Sequence, residues 1–394
     1  MKGTSINPPR KRILIIQPSL QPPGGGNNVA AWTVEALKRE YRLTLLTWTP
    51  INVAEINRYF GTSLEASDFD ARLPSLGWRH LLDAIPLPLS LLKMNILLRF
   101  AKRVQGDFDL VMTVNNEADF GSAGIQYVHF PALYWPRPKK ELRWYHGWKP
   151  LLRAYYRGCE RISNFSARRL KSNLTLVNSR WTGGKLHDCH GIGSTVLYPP
   201  VSGEFSAVPW ERRENGFVSI GRFSPEKRIE NAIRVVGELR KQGHDVHLHL
   251  IGGRESTFSA YYREIRRLVA ANASWLFVHE NIPRAELVDL ITRHRYGIHG
   301  MEEEHFGMAV AEMVRGGCIV FAPRGGGQVE IVEDERLLYD GREDAVRKIA
   351  QTISDADTQT ELREFLARRS ALFTAERFMG GFREIVRRFL SAEM

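Results

Sequence analysis

The chain has 394 residues, of which 43% are hydrophobic and 25% are charged, and its net charge is +11. This length predicts two or three domains, and the composition is typical of a globular protein without repeats or low-complexity tracts. The three cysteines form no Cys-x-x-Cys pair, which argues against a disulfide framework or a zinc knuckle and favours a reducing compartment.

The positive charge is concentrated in the first half of the chain. Residues 1–200 contain 27 Lys and Arg against 14 Asp and Glu, whereas residues 201–394 contain 28 against 30. The segment from Arg137 to Arg180 alone has twelve basic and two acidic residues, interleaved with aromatic ones. This pattern favours an anionic partner, such as nucleic acid, a phospholipid surface or a lipid-phosphate acceptor. For any one charge run, a solvated basic face is the ordinary explanation.

The apolar stretches of the sequence are short or interrupted. The opening residues are basic, but the run from Ile13 to Ile16 is too short for a signal peptide and no cleavage site follows. The stretch from Leu81 to Phe100 contains charged residues and prolines that exclude a membrane span. Within it, Leu89 to Arg103 is expected to form an amphipathic helix that faces the core. The sequence predicts a cytoplasmic protein, with any membrane contact peripheral and on the inner face.

In chain order, short apolar runs alternate with helical segments in two series. The first series opens with a strand, a Gly-rich turn and a helix, and it ends near Val201. Residues 202–214 are polar and are expected to form a linker, and the second series follows it. A final helix over residues 375–394 is expected to pack back across the linker. The pattern predicts an α/β protein with two doubly wound, Rossmann-like domains, residues 1–201 and 215–374, facing each other across a cleft.

The strongest motif places two carboxylates eight residues apart, in Glu304-His-Phe-Gly-Met-Ala-Val-Ala-Glu312. A helix is expected to begin near Gly307, so that the backbone N–H groups of residues 306–308 face a phosphate or sugar oxygen. Glu304 can accept hydrogen bonds from sugar hydroxyls, and Glu312 can hold a ribose diol. Acids before a helix also stabilise its dipole without any ligand, but the Gly-rich strand exit from Pro323 to Gly327 favours a ligand site.

The second motif, SIGRFSPEKR, predicts a strand that leaves through Gly221 into a helix whose first turn contains Pro225. Arg222 and Lys227 bracket this turn. Two cations at a helix start can bind a diphosphate, Arg through its planar fork and Lys as a point charge. They can also stabilise a departing nucleoside diphosphate without a metal ion.

Together these motifs resemble the retaining GT-B glycosyltransferases of family 4, whose Gly-Arg…Glu-Lys turn and Glu-x7-Glu element stand at matching places in this sequence. The resemblance is closest to mannosyltransferases that extend lipid-linked oligosaccharides. It continues through YVHFP, NSRWT, YPPV, GRFSPEKR and HFGMAVAEMVRGG. It implies a metal-independent enzyme without a cofactor, in which the second domain holds most of a nucleotide-sugar donor and the first domain holds the acceptor.

The resemblance also implies roles for residues in the second domain. Arg222 and Lys227 hold the donor diphosphate and act in catalysis, and Glu312 holds the ribose. Glu304 contacts the transferred sugar as a further catalytic residue. The main chain of Phe306, Gly307 and Met308 contacts the transferred sugar as well.

Further implied roles lie on the loops that face the cleft. His129 matches the family's cleft histidine near the transferred sugar and is the fourth catalytic residue. Gly25 and Gly26 lie in the Gly-rich loop close to the donor phosphate. Asn281 and Ile282 stand where the family seats the nucleotide base.

Other interpretations fit parts of the sequence. A nicotinamide site is disfavoured, because the first turn is GGGNNVA and the second strand closes with Thr47-Trp48-Thr49, without an acid. The pairs Asp68-Phe-Asp70 and Asp107-Phe-Asp109 have the spacing of an Asp-x-Asp metal motif, but neither is expected to bind metal. A basic nucleic-acid-binding protein without catalysis, a GT-B-like phosphorylase and a sugar-nucleotide epimerase stay open as alternatives.

The sequence thus predicts a retaining hexosyltransferase of polysaccharide biosynthesis. It would move a sugar from a nucleotide-sugar to a hydroxyl of a glycan or lipid-linked glycan. GDP-mannose is the favoured donor, and UDP-sugars stay open. The expected partners are the donor, the acceptor and an anionic membrane surface, with no nucleic acid and no bound metal.

Overall fold

The computed structural model describes residues 10–21, 24–85, 89–132, 149–253 and 258–392. These residues form two α/β domains, each built on one parallel sheet, so the predicted doubly wound architecture is confirmed. Across the described ranges, none of the helices has the length and apolar character needed to cross a membrane.

The first domain contains a seven-stranded sheet. Its strands are β1 (Arg12–Ile16), β2 (Arg42–Leu46), β3 (Phe69–Arg72), β4 (Leu110–Thr113), β5 (Ile125–Val128), β6 (Leu174–Val177) and β7 (Thr195–Val196). Its helices are α1 (Gly25–Leu37), α2 (Val53–Phe60), α3 (Leu76–Asp83), α4 (Ser90–Val104), α5 (Lys149–Ser163), α6 (Ala167–Lys171) and α7 (Arg180–His190). The strand order β3-β2-β1-β4-β5-β6-β7 reverses direction between β1 and β4, where such sheets open a ligand crevice at the carboxyl ends of the strands.

The second domain contains a six-stranded sheet. Its strands are β8 (Glu214–Ile220), β9 (His247–Gly252), β10 (Leu276–Glu280), β11 (His294–Ile298), β12 (Ile319–Pro323) and β13 (Leu338–Tyr339). Its helices are α8 (Ile229–Lys241), α9 (Ser259–Ala271), α10 (Arg284–Arg293), α11 (Met308–Arg315), α12 (Val329–Val332), α13 (Gly341–Ser354) and α14 (Ala356–Ser370). The order β10-β9-β8-β11-β12-β13 repeats the arrangement of the first domain, with the reversal between β8 and β11.

The inner strands of the sheets are covered on both faces, which explains why β4 and β12 are apolar and buried along nearly their whole length instead of alternating. In β1, Ile13 and Ile15 lie in one core cluster, whereas Leu14 and Ile16 lie in another on the opposite face. Helix α4 covers the second of these faces with Leu97, Leu98 and other side chains, so it faces the core as the sequence predicts. Part of the basic segment that begins at Arg137, residues 137–148, lies outside the described residues.

The last helix, α15 (Ala375–Ala392), returns from the second domain to the first. Its buried residues recur every four positions and pack beside α1 in the first domain's core; they are Phe378, Phe382, Val386 and Leu390. Each such side chain stabilises this packing by roughly 1.5–3 kcal/mol. The helix runs through Gly380 and Gly381 without a break, and a Cβ at Gly381 would lie 2.9 Å from Leu197 Cδ1. Gly381 therefore allows close packing, and neither glycine interrupts the helix.

Candidate active site

The candidate site lies on loops that follow the strands of the second domain. Because all strands of the sheet are parallel, the loops after β8, β10, β11 and β12 emerge at the same edge. They carry Lys227, Asn281, Glu304 and the glycines of residues 325–327, respectively. The topology thus gathers most of the residues that the sequence analysis selected.

The Lys227 ammonium contacts the Glu304 carboxylate, with Nζ 2.5 Å from Oε2. Lys227 ends a 3₁₀ turn over Pro225–Lys227, and Arg228 then adopts a left-handed conformation with φ 48° before α8 begins at Ile229. The predicted continuous helix from Pro225 is therefore wrong, because Arg228 separates the turn from the helix. This separation sets the lysine on a tight turn of its own, directed at Glu304.

Arg222 does not reach this ion pair in the structure. Its side chain is 60% exposed, and its Nη2 lies 3.4 Å from Glu226 Oε1, within the same turn. The structure therefore brings one of the two predicted phosphate-binding cations to Glu304 and leaves the other at the rim.

Glu304 is held as an ionised carboxylate. Its Oε2 also contacts His299 Nε2 at 3.1 Å, and the His299 side chain is buried. Burial alone would raise the pKa of the Glu304 carboxyl, but the charge of Lys227 and the hydrogen bond with His299 hold the pKa well below its usual range. An ionised carboxylate accepts hydrogen bonds and has no proton to donate, so Glu304 is suited to binding hydroxyl groups.

The glycines after β12 position the loop that carries Glu304. Gly327 donates its N–H to the Glu304 carbonyl oxygen at 2.7 Å, and Gly326 forms an isolated bridge with Glu304. A Cβ at any of residues 325–327 would collide with the backbone of residues 302–306. These glycines serve the close approach of two loops, which fixes the position of Glu304.

Helix α11 begins one residue after Gly307, which has φ 108°. Its first internal hydrogen bond runs from the Ala311 N–H to the Gly307 oxygen at 2.9 Å. The N–H groups that precede Ala311 in the first turn therefore have no acceptor within the helix. Phe306 is buried and packs against Tyr198 and Phe373, which anchors the helix start in the core. The backbone at Met308 is thus presented to the cleft by a rigid support.

Glu312, one and a half turns into α11, is paired with Arg284 at the start of α10, with Oε1 2.5 Å from Nη1. Arg284 also donates to the Ser202 carbonyl oxygen in the interdomain linker. Asn281 and Ile282 directly precede this arginine. Asn281 has φ 53° and is exposed, while Ile282 packs on the core. The structure thus brings Glu312 to the loop that was predicted to seat the base.

The first domain contributes His129 and the start of α1 to the same region. His129 Nε2 lies 2.9 Å from the Val114 oxygen, and burial lowers the pKa of the imidazole to about 4. A Cβ at Gly26 would lie 3.3 Å from His129 Nε2, and one at Gly25 would lie 3.2 Å from Met308 Cγ. Gly25 and Gly26 form the first turn of α1, where a loop was predicted, and this turn lies between the cleft histidine and the start of α11.

Direct contacts also hold the two domains together. Phe130 stacks on His305 with ring centroids 4.1 Å apart, and Ser179 donates its hydroxyl to the His305 oxygen at 2.7 Å. The Glu330 carboxylate accepts the N–H groups of Arg180 and Trp181 at the start of α7, both at 2.9 Å. A carboxylate at a helix N-terminus is stabilised by the unpaired N–H groups there.

Residues 204–369 match the family described as glycosyl transferases group 1. The matched residues begin in the linker and extend through most of the second domain. The chain is also 28% identical over 229 residues to the human GDP-Man:Man(3)GlcNAc(2)-PP-Dol alpha-1,2-mannosyltransferase. The aligned region covers 52% of this chain and 46% of that protein. The protein of the same name from Dictyostelium discoideum is 24% identical over 249 residues, covering 57% and 48%. The chain thus spans at most about half the length of these curated relatives.

Solved structures resemble nearly the whole chain. Sucrose-phosphate synthase from Thermosynechococcus elongatus superposes with a TM-score of 0.71 at 16% identity, covering 97% of this chain and 100% of that one. Anabaena Alr3699/HepE in complex with UDP gives a TM-score of 0.69 at 15% identity, covering 95% and 99%. At such identities the likeness shows the fold alone, and the predicted GT-B fold is confirmed.

Two residues without a sequence motif of their own contact these carboxylates, His299 at Glu304 and Arg284 at Glu312. His299 directly follows β11, and an isolated histidine at a strand end is a weak indication by itself. Arg284 opens α10 directly after a proline, and its pairing with Glu312 depends on the tertiary approach of two helices. Both lie next to elements that the sequence did predict.

Proposed function

We propose that the protein is a retaining glycosyltransferase that moves a hexose from a nucleotide-sugar to a hydroxyl of a glycan or lipid-linked glycan, without a metal ion or cofactor. The observation that carries the proposal is the Lys227–Glu304 pair at the carboxyl edge of the second domain. This arrangement places a cation for a phosphate beside an ionised acceptor for sugar hydroxyls.

The donor diphosphate is proposed to bind between Lys227, Arg222 and the first turn of α11. The Lys227 ammonium is already in contact with Glu304, so on binding it would bridge that carboxylate and a phosphate oxygen. The exposed Arg222 can fold over the outer phosphate with its planar guanidinium. Together they neutralise the charge that develops on the leaving nucleoside diphosphate, which is the role a divalent metal has in metal-dependent transfer.

The transferred sugar is proposed to lie between Glu304 and His129. Glu304 is ionised at neutral pH and accepts hydrogen bonds from sugar hydroxyls. His129 is neutral there, because the pKa of its imidazole is about 4. Its Nε2–H donates to the Val114 oxygen, which leaves Nδ1 as a hydrogen-bond acceptor. Both groups therefore position the sugar, and neither acts as a general acid.

In the proposed step, the bond between the anomeric carbon and the diphosphate oxygen breaks, and the acceptor oxygen forms its bond on the same face. The acceptor hydroxyl proton passes to the departing diphosphate, so no further base is needed and the configuration is retained. The Glu304 carboxylate is engaged by Lys227 and His299, which makes it a poor nucleophile for a covalent intermediate. Domain closure would exclude water from this step and suppress hydrolysis.

The relatives support GDP-mannose as donor and a lipid-linked glycan as acceptor, since the name they share contains both GDP-Man and PP-Dol. The excess of basic residues in the first domain supports an anionic acceptor and a peripheral position on the cytoplasmic face of a membrane. The alternatives of a nucleic-acid-binding protein, a phosphorylase or an epimerase are not favoured by these relatives.

The test is a calorimetric titration of the full chain with GDP, UDP, GDP-mannose and UDP-glucose, each in EDTA and in Mg²⁺. We expect binding of GDP and GDP-mannose that is the same in both buffers. Product analysis by NMR with a mannosyl acceptor then reports whether the new linkage has the anomeric configuration of the donor. Absence of nucleotide binding would contradict the proposed function, and strict dependence on Mg²⁺ would contradict the metal-independent mechanism.

A further inference from the structure

A cluster of imidazoles lies at the opposite edge of the second domain's sheet, where the strands begin. Glu214 is the first residue of β8, His247 the first of β9 and His294 the first of β11, and His249 follows in β9. Glu214 is the register partner of His294 on the neighbouring strand. One ligand atom from each of these four residues lies within 4.8 Å of all the others. Parallel strands of five to seven residues separate this cluster from Glu304 by on the order of 15–20 Å.

The backbone beside the cluster leaves room for one of its imidazoles. Gly216 is the register partner of His247, and a Cβ built on Gly216 would overlap the His247 ring. The His247 imidazole therefore extends from β9 across β8. It approaches Glu214 on β8 and His294 on β11, which is the next strand beyond β8. Any other residue at position 216 would displace the ring, so a glycine in the middle of this strand has a specific packing reason.

The distances in the cluster fit a tetrahedral metal ion. His247 Nε2 lies 3.0 Å from His294 Nε2 and 3.4 Å from Glu214 Oε2, and His294 Nε2 lies 3.7 Å from that same oxygen. Ligands about 2.0–2.1 Å from a tetrahedral Zn²⁺ are separated from one another by about 3.3–3.4 Å. Three of the four ligand atoms thus already form a triangle of the required size.

Neighbouring groups orient these ligand atoms as the outer shell of a metal site does. His294 Nδ1 lies 2.6 Å from the Leu290 oxygen, so Nδ1 carries the proton and Nε2 keeps its lone pair. His249 Nδ1 pairs with His279 Nε2 at 2.7 Å, which leaves the Nε2 atom of His249 for a ligand. Arg293 lies 3.5 Å from Glu214 Oε1, so Oε2 is the oxygen that faces the histidines.

We propose that Glu214, His247, His249 and His294 bind a divalent transition metal of the Zn²⁺ class. Three imidazoles and one carboxylate are the ligand types that such ions prefer, whereas Mg²⁺ and Ca²⁺ require oxygen ligands. The ion would join three adjacent strands at the amino edge and stabilise the domain. The rival interpretation is a metal-free network in which the His247 Nε2–H donates to the His294 Nε2 lone pair.

The test uses the full chain without a histidine tag, stripped of metal with a chelator, and Zn²⁺ competed against a chromogenic chelator. We expect one equivalent of Zn²⁺ to bind. The same site should give the intense visible absorption of tetrahedral Co²⁺. Since loss of an outer-shell partner alone costs about 10–100-fold in affinity, His247→Gln should weaken Zn²⁺ binding by at least about 100-fold. The matched control is His80→Gln, an exposed histidine on α3 in the first domain.

Two further variants keep the test decisive if His247→Gln unfolds. Glu214→Gln alters a partly exposed side chain and should weaken binding while the far-ultraviolet circular dichroism stays unchanged. Gly216→Ala should displace the His247 ring and lower the affinity without removing a ligand. Absence of saturable Zn²⁺ binding, or equal affinity in the His247 and His80 variants, would overturn the proposal. Zn²⁺ affinity is measured without nucleotide, and nucleotide binding can be measured on protein that has not been treated with a chelator, so this proposal and the proposed function fail separately.

Discussion

The two edges of the second domain's sheet collect polar side chains in different ways. At the carboxyl edge, Lys227, His299 and Glu304 come from loops and form a charged network. At the amino edge, His247 and His294 stand on the strands themselves, where only the register brings them together. The first arrangement is set by loops that sequence motifs reveal, whereas the second is set by strand pairing. The same sheet therefore presents a charged network at one end and an imidazole cluster at the other.

The largest expected effect comes from removing the cation of the carboxyl edge. Lys227→Ala should lower turnover by about 10²–10³-fold, the loss typical for one preorganised group that stabilises a leaving oxyanion. The measurement is the initial rate of product formation at saturating donor. The matched control is Lys241→Ala, an exposed lysine on α8 paired with Glu238, which should keep the parent rate.

A rate for Lys227→Ala within about twofold of the parent would remove this lysine from the mechanism, since changes of that size are ordinary for surface substitutions. The variant also leaves Glu304 without its cation. Its thermal unfolding midpoint should therefore be measured beside the rate, so that loss of fold is distinguished from loss of chemistry.

The second prediction concerns the pH dependence of stability. The pKa of the Glu304 carboxyl is held below its ordinary value of 4.5 in the folded protein. Above about pH 4.5 the ionised carboxylate therefore stabilises the folded state relative to the unfolded state. This contribution to the free energy of unfolding is lost as the pH falls, because the unfolded state takes up the proton first. Between about pH 6 and about pH 3, the thermal midpoint of the parent should fall more steeply than that of Glu304→Gln. The control is Glu303→Gln, whose exposed side chain should leave the slope unchanged. Parallel slopes in parent and Glu304→Gln would contradict the ionised assignment.

The contrast between the two edges also explains which features the sequence predicts. The fold and the residues at the carboxyl edge follow from alternating apolar runs and from motifs that are contiguous in the chain. Lys227 and Glu304 belong to such motifs, and the structure places them in contact. The left-handed backbone at Arg228, which divides the expected helix, has no such signature, because arginine rarely adopts a positive φ.

The contacts that the sequence analysis missed depend on tertiary approach. His247 and His294 are 47 residues apart along the chain, and their proximity depends on β9 and β11 lying on either side of β8. Arg284 reaches Glu312 only because α10 and α11 start at the same edge. A strand order predicted together with its register would have revealed the first of these contacts. The second depends on side-chain conformation, which no pattern of residue types encodes.

A smaller effect is expected at Glu312. Glu312→Ala should weaken GDP binding by about 10-fold, since a hydrogen bond to a charged group contributes about 1.5–3 kcal/mol and Arg284 already occupies one carboxylate oxygen. Calorimetry with GDP measures the change, and the exposed Glu286→Ala on α10 is the control. An unchanged dissociation constant would place the ribose elsewhere and leave the Arg284–Glu312 pair as a purely structural contact.

The smallest effects are expected at the acids of the Asp-x-Asp pairs in the first domain, which extend the comparison to a second sheet. Asp109 precedes β4 at the amino edge, and its Oδ2 accepts the Arg12 N–H at 2.6 Å, so it joins two strand starts. Asp70 is exposed on β3 and lies 3.4 Å from Arg42.

Since neither acid lies at a carboxyl edge, Asp109→Asn and Asp70→Asn should keep turnover within about twofold of the parent, in EDTA and in Mn²⁺ alike. Asp109→Asn should lower the free energy of unfolding by about 1 kcal/mol through the weakened hydrogen bond, whereas Asp70→Asn should leave it unchanged. A loss of turnover in either variant that Mn²⁺ restores would show that an amino edge takes part in the chemistry, and the division of roles between the two edges would be wrong.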